Sequence, residues 1–173
     1  MISLQANDFD LFGLPMAFAV AREAIDARWK ELQREAHPDR FAAQGAAAQR
    51  LAMQWSVRIN EAYQRLKDPV KRAAYLCELH GAPVNAENNT AMPAAFLMQQ
   101  MEWREALDET HTEQALDALL AEVQAVRAQC LADLAQAIDV AGDYPQAVGQ
   151  VRALMFIDRF AAEVHHQLDK LLD

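Results

Sequence analysis

Residues 29–40 read Trp-Lys-Glu-Leu-Gln-Arg-Glu-Ala-His-Pro-Asp-Arg and contain the most informative turn of the chain. Apolar residues recur at helical spacing on both sides of the His-Pro-Asp tripeptide. They are Ile25, Trp29, Leu32 and Ala36 before it, and Ala48, Leu51, Ala52, Trp55, Ile59, Ala62, Tyr63 and Leu66 after it. Pro38 disfavours helical geometry at His37, so the first helix is expected to end there. Two helices with a short connection predict an antiparallel hairpin with the tripeptide at its tip.

Residues that stop or cap helices flank this hairpin. Residues 8–14 are predicted to form a short helical turn that Gly13 and Pro15 stop. After the hairpin, Asp68 is expected to cap a helix over residues 69–81, which starts with a proline. The short turn before the hairpin carries four apolar side chains that are expected to pack against the hairpin as a plug: Phe9, Leu11, Phe12 and Leu14.

The composition favours helices along the whole chain. Only five of the 173 residues are glycine and six are proline, so few residues serve the tight turns that short strands need. With 53% hydrophobic and 24% charged residues, the chain is typical of a globular protein. Cys77 and Cys130 form neither a disulfide framework nor a zinc-ligand pair, and Cys77 is predicted to be a small core residue. We therefore expect a nearly all-α protein in a reducing compartment.

A second helical module is predicted after a linker. Residues 81–92 contain turn formers and show no periodicity, which indicates a connecting segment. Helical segments follow at about 93–110, 112–140 and 144–172, and a three-helix bundle is their economical arrangement. The predicted organisation is an N-terminal domain over 1–80, a linker over 81–92 and a C-terminal domain over 93–173.

The charge is divided unevenly between the two modules. Residues 1–75 carry 11 basic and 9 acidic side chains, a net +2, whereas residues 76–173 carry 5 and 16, a net −11. The overall net charge of −9 argues against nonspecific binding to nucleic acid. The asymmetry suggests two modules with different partners, although acidic helices that are merely soluble explain it equally well.

Neither a signal peptide nor a membrane span is predicted. The apolar stretch over residues 11–21 is preceded by Asp8 and Asp10 instead of basic residues, and Gly13 and Pro15 interrupt it. Other apolar runs fall short of the roughly 20 residues that a spanning helix requires. We expect a soluble, cytoplasmic protein with no membrane partner.

The N-terminal module resembles a J domain. The resemblance is carried by His37-Pro38-Asp39 between a basic helix and a long helix, followed by Leu-Lys-Asp-Pro at residues 66–69. An isolated tripeptide would more readily be a plain turn with Asp39 as a helix cap, but the order of the flanking elements favours the J domain. By resemblance, such domains stimulate ATP hydrolysis by an Hsp70 chaperone and have no catalytic site of their own.

The resemblance places the contact with Hsp70 at this tip and the basic residues beside it. They are Arg22, Lys30, Arg34, His37, Pro38, Asp39 and Arg40. Pro38 stiffens the turn, and a carboxylate can accept a charge-assisted hydrogen bond from an arginine of the partner. Many J domains have an aromatic residue before the tripeptide and a lysine after it, where this chain has Ala36 and Arg40. We expect Trp29 to replace part of the packing that Ala36 lacks.

The first helix of the C-terminal module has two apolar strips. Phe96, Trp103 and Leu107 share a narrow arc that suits the core. A second strip is bordered by glutamates, as a protein-binding face requires. Its members are Leu97, Met98 and Met101 with Glu102, Glu105 and Glu109, and Phe156 lies outside the inner face of the last helix. The pattern alone leaves core packing and partner binding equally probable for these four apolar side chains.

Residues 95–109, Ala-Phe-Leu-Met-Gln-Gln-Met-Glu-Trp-Arg-Glu-Ala-Leu-Asp-Glu, strongly resemble the signature of the HscB family. These J proteins are co-chaperones of bacterial iron-sulfur cluster assembly, and the resemblance extends over essentially the whole chain. It implies that the glutamate-bordered strip and Phe156 bind the cluster scaffold IscU and deliver it to the specialised Hsp70, HscA. Met101 and Trp103 stand where the family commonly has leucine.

Alternative functions are less well supported. A general J protein that delivers other clients to a housekeeping Hsp70 is the second hypothesis. An enzyme is third, since no nucleophile, phosphate loop or metal set accompanies His37 and Asp39. The adjacent His165 and His166 point about 100° apart on a helix and make a poor ligand pair. We predict no catalytic residue, no bound metal and no cofactor.

Overall fold

The structure is a computed structural model that describes residues 3–85 and 91–173. Every regular element in those two ranges is helical, and neither range contains a strand. Contacts between residues divide the chain into two compact units, Met1–Leu76 and Cys77–Asp173. The predicted all-α fold class is confirmed.

The first unit is the predicted helical hairpin with a short helix before it. Its helices are α1 (Asp8–Phe12), α2 (Arg22–Ala36) and α3 (Ala46–Lys67), and α4 (Pro69–Leu79) continues past the boundary between the units. The connection at the tip is longer than the sequence suggests, because a 3-10 helix, Pro38–Gln44, follows the end of α2. The tripeptide therefore begins an ordered helical segment.

Local capping chemistry sets the helix ends where the sequence predicts them. Gly13 takes a φ of 63° at the end of α1, a left-handed conformation that glycine adopts without strain. The Oδ1 atom of Asp68 accepts hydrogen bonds from the backbone N–H groups of Val70 and Lys71, at 2.9 and 3.2 Å. The predicted cap and proline start of α4 are thus confirmed. The predicted plug of α1 is also confirmed for Phe9, Leu11 and Phe12, which are buried.

The second unit contains the three predicted helices, α5 (Ala94–Glu109), α6 (Glu113–Ala135) and α7 (Tyr144–Leu172). A π-helical turn, Gln136–Val140, extends α6. The side chains of Thr112 and Asp143 cap α6 and α7 by accepting backbone hydrogen bonds. Leu116, Val123, Leu134, Leu154, Ile157 and Val164 form the apolar interior. The packing is the predicted three-helix arrangement.

The ends of the predicted linker pack within the second unit. Val84 is buried, and the Arg152 guanidinium donates hydrogen bonds to the carbonyl oxygens of Val84 and Ala91. Residues 86–90 of the predicted linker lie outside the described residues. The contact boundary at residues 76 and 77 also falls a few positions before the domain end predicted at residue 80.

Both cysteine thiols are expected to be unreactive in the folded protein. Burial raises the pKa of Cys77 to about 11, and burial together with Asp133 raises the pKa of Cys130. Because the thiolate is the reactive form, the aromatic disulfide DTNB at pH 8 should label neither residue until urea unfolds the chain.

The same pKa shift predicts a loss of stability at high pH. Below about pH 7.5 the Cys77 thiol is protonated in both the folded and the unfolded chain, so its contribution to stability is complete. As the pH rises toward 11, the unfolded thiol ionises first and the free energy of unfolding falls. Cys77→Ala should reduce this fall in urea titrations at pH 8 and pH 10.5. Rapid DTNB labelling of the native chain would contradict the assignment of buried thiols.

Candidate functional site

The His-Pro-Asp turn is exposed at the tip of the hairpin. His37 ends α2 with an extended backbone, and its Nδ1 atom accepts a hydrogen bond from the Asp39 N–H at 3.2 Å. The side chains remain open to solvent, 58% exposed for His37 and 91% for Asp39. The imidazole is therefore held at one edge while its other nitrogen and the Asp39 carboxylate are available to a partner.

The basic residues beside the tip differ in their availability. Lys30, Arg34 and Arg40 are exposed, and Arg40 Nη1 donates a hydrogen bond to the Arg34 carbonyl at 3.3 Å, tying the 3-10 helix to α2. Arg22 instead pairs with Asp26, its Nε lying 2.9 Å from the carboxylate. That hydrogen bond raises the pKa of Arg22 above its ordinary value. Among the basic residues predicted to contact Hsp70, Arg22 is thus the one whose side chain forms an ion pair within its own domain.

A cavity of about 500 Å³ is lined by residues of α2, the 3-10 helix and α3. Its lining includes Ala36 at the end of α2, Phe41 from the 3-10 helix, and Leu51 and Trp55 from α3. Trp29 is not among the lining residues. It stacks on Tyr63 with ring centroids 4.6 Å apart and donates a hydrogen bond to Asn60. The expectation that Trp29 replaces packing lost at Ala36 is therefore wrong, because its ring is held against α3 at another position.

On α5, the structure separates the two predicted strips. Phe96 and Trp103 are buried, as expected for the core-facing strip. Leu97, Met98 and Met101 are 47%, 68% and 74% exposed. Glu102, Glu105 and Glu109 are exposed around them. The structure thus forms an apolar surface bordered by carboxylates, which we call the α5 face.

Phe156 on α7 is both packed and partly exposed. Its ring lies edge-on to Phe96, with centroids 5.8 Å apart, and stacks on Phe160 at 6.0 Å. The side chain is half-buried, so it contributes partly to the core. Core packing was one of the two roles that the sequence pattern left open for Phe156. Only the exposed part of this ring is available to a partner.

Comparison with known proteins identifies the family. A family model described as HSCB C-terminal oligomerisation domain matches residues 92–165. A co-chaperone protein HscB homolog from Burkholderia mallei (strain SAVP1) is 51% identical over 174 residues, covering 99% of both chains. The chain belongs to the HscB family. It is a J-domain co-chaperone of iron-sulfur cluster assembly.

Solved structures of HscB proteins have the same fold. Chaperone HscB from Vibrio cholerae matches with a TM-score of 0.82 and 35% identity, over 96% of this chain and 99% of that chain. Human co-chaperone protein HscB matches with a TM-score of 0.88 over 96% and 84% of the two chains. At 23% identity, this second likeness shows the fold alone. The predicted J domain joined to a helical C-terminal domain is confirmed.

Arg104 and Glu163 are the residues of this HscB surface that sequence reasoning missed. Arg104 follows Met101 by three positions and Leu97 by seven, so helical spacing places it beside the α5 face. Its pairing with Glu163 on α7 joins positions far apart in the sequence. The position of Arg104 beside the α5 face could be read from its spacing on the helix, but that spacing did not indicate Glu163 as the residue with which it pairs.

Neither a metal-binding cluster nor a helix that could span a membrane is present in the described parts of this HscB chain. Within residues 3–85 and 91–173, His, Cys, Asp and Glu side chains form no group of three or more that could hold a metal ion. No helix in those ranges has both the length and the apolar character for crossing a membrane.

Proposed function

We propose that this HscB chain binds the cluster scaffold IscU through the α5 face and Phe156, delivers it to HscA, and stimulates the ATPase of HscA through the His-Pro-Asp turn. The exposure of Leu97, Met98 and Met101 carries the scaffold assignment. Three large apolar side chains on one helix form an exposed surface, and its removal from water by a partner would stabilise the complex. The surrounding glutamates orient that partner by charge.

The exposed tip supports the proposed action on Hsp70. Pro38 limits the conformational freedom of the turn, and the bond to Asp39 N–H orients the His37 ring. A turn ordered before binding loses little entropy when a partner contacts it. Arg34 and Lys30 are exposed on α2 and can complement an acidic surface, with Arg40 beside the tripeptide.

The remaining functional assignments follow from this scheme. We expect no turnover by the isolated chain, because a co-chaperone acts on the catalytic site of its partner. We place the protein in the cytoplasm, with no nucleic-acid or membrane partner and no resident metal or cofactor. A pull-down from native cell extract should recover one Hsp70 and one small cysteine-bearing scaffold. Recovery of diverse unfolded clients with a housekeeping Hsp70 would instead favour the general J-protein function.

Replacing Leu97 and Met101 together with alanine should weaken scaffold binding about 10- to 100-fold, because the complex loses the apolar surface that these two side chains would bury and a few residues carry most of the binding free energy of an interface. Isothermal titration calorimetry with purified IscU measures the dissociation constant. Both side chains are about half or more exposed, so the fold should persist and the melting temperature should change little.

The matched control is Leu51→Ala with Met53→Ala on α3, which removes the same two side-chain types from the J domain. Those side chains are 50% and 57% exposed. The control should leave scaffold affinity unchanged. Full affinity in the Leu97 and Met101 variant would remove the scaffold assignment.

A further inference from the structure

Arg104 lies over two aromatic rings at the edge of the α5 face. Its guanidinium carbon is 5.7 Å from the centroid of Phe156 and 5.5 Å from that of Phe160. Two of its nitrogens pair with the two carboxylate oxygens of Glu163, the Nη2 contact being 3.0 Å. This forked ion pair fixes the plane and position of the guanidinium.

The position of Arg104 connects Phe156 to the exposed strip. On α5, Arg104 shares a flank with Leu97 and Met101, at spacings of seven and three residues. From that flank it reaches α7, where Phe156 lies half-buried. Arg104 and Glu163 are 48% and 45% exposed, so a partner that covers the α5 face would also meet this pair.

The half-buried ring needs support that the core supplies only in part. Phe160, on which it stacks, is fully buried, whereas Phe156 is half-buried. A cation over an aromatic ring is attracted by the ring quadrupole, and the attraction grows when water is excluded. A partner covering the site would strengthen this contact and would find the ring already ordered.

We propose that Arg104, held by Glu163, is a positioning residue that orders the Phe156 ring for scaffold binding. This inference rests on the proposed scaffold function of the α5 face. It assigns to Arg104 an action through Phe156, without a direct ion pair to the scaffold. Glu163 acts one step further away, by holding the guanidinium over the ring.

The test measures scaffold affinity by calorimetry in two backgrounds. Arg104→Gln should weaken binding about fivefold and Glu163→Gln about twofold, while Arg104→Lys, which retains the cation, should lose less than Arg104→Gln. In a Phe156→Leu background, which keeps an apolar side chain but removes the aromatic ring, Arg104→Gln should cause no further loss. An equal loss in both backgrounds would show a direct or purely structural role and overturn the proposal.

Arg127→Gln is the matched control, since Arg127 forms a similar ion pair with Asp158 between α6 and α7, at 2.8 Å. It should leave scaffold affinity unchanged. If Leu97→Ala with Met101→Ala weakens binding while Arg104→Gln does not, this inference alone fails. If the Leu97 and Met101 variant binds normally, the proposed scaffold function fails, and the inference fails with it.

Discussion

Replacing His37 with glutamine is expected to reduce stimulation of the Hsp70 ATPase to the basal rate while leaving scaffold affinity unchanged. His37 makes its side-chain hydrogen bond within the turn, to the Asp39 N–H, and its ring is 58% exposed. The substitution therefore removes the imidazole from the surface without opening the core. Single-turnover ATP hydrolysis by HscA, titrated with the variant, measures the effect.

The same variant should separate stimulation of the Hsp70 ATPase from binding of the scaffold. The α5 face belongs to the second compact unit, so calorimetry with IscU should give the same dissociation constant for the variant and the parent chain. His166→Gln is the matched control, since His166 is an exposed histidine on α7. It should stimulate HscA normally. Normal stimulation by the His37 variant would reject the tip as the Hsp70 contact.

Features that depend on local chemistry were predictable from the sequence. The end of α2 before Pro38, the cap at Asp68 and the turn at Gly13 each follow from residues within one helical turn. Helical angle also separated Leu97 and Met101 from buried Trp103, but the pattern alone left core packing and partner binding open for both. Such features require only the backbone period and the preferences of single residues.

Features that depend on tertiary packing were not predictable. Phe156 lies outside the inner face of α7, and no periodicity could show that Phe96 would pack against its ring. The 3-10 helix after Pro38 likewise has no buried residue to mark it by apolar spacing. The link between Arg104 and Glu163 spans 59 positions, so it exists only once α5 and α7 are side by side. The parts of the site that join elements therefore required the structure.

A buried charge at the start of α1 is the clearest example of packing that the sequence does not show. Asp8 is fully buried at the first residue of α1. Its carboxylate pairs with Arg65, whose Nε and Nη2 lie at 2.6 and 2.8 Å, and with Arg58 Nη2 at 2.8 Å. Its backbone N–H donates a hydrogen bond to the Tyr75 hydroxyl at 3.0 Å. This cluster ties α1 to α3 and α4.

The structure explains why α1 tolerates a buried carboxylate. The hydrogen bonds that Arg65 donates to the Asp8 carboxylate raise the pKa of Arg65, whose guanidinium also lies 4.7 Å from the Tyr75 ring centroid. Arg58 donates two further hydrogen bonds, to the carbonyl oxygens of Leu4 and Ala6. The two arginines thus compensate the buried charge, and Arg58 also holds the segment before α1. Each arginine depends on the same carboxylate.

Asp8→Ala should therefore lower the free energy of unfolding of the J domain by about 3 to 5 kcal/mol, because it leaves two guanidinium groups without their common partner. Asp8→Asn keeps the shape but removes the charge, and it should cost less than alanine. Urea denaturation, with hydrogen exchange of α1 and α3 amides to follow the J domain separately, measures both.

Asp10→Asn on the exposed side of α1 is the control and should change stability by under about 0.5 kcal/mol. If Asp8→Ala costs no more than this control, the assignment of the cluster as a stabilising element of the J domain is contradicted. In the expected case, Asp8→Ala should lose Hsp70 stimulation because the J domain unfolds, whereas His37→Gln loses stimulation with the fold intact.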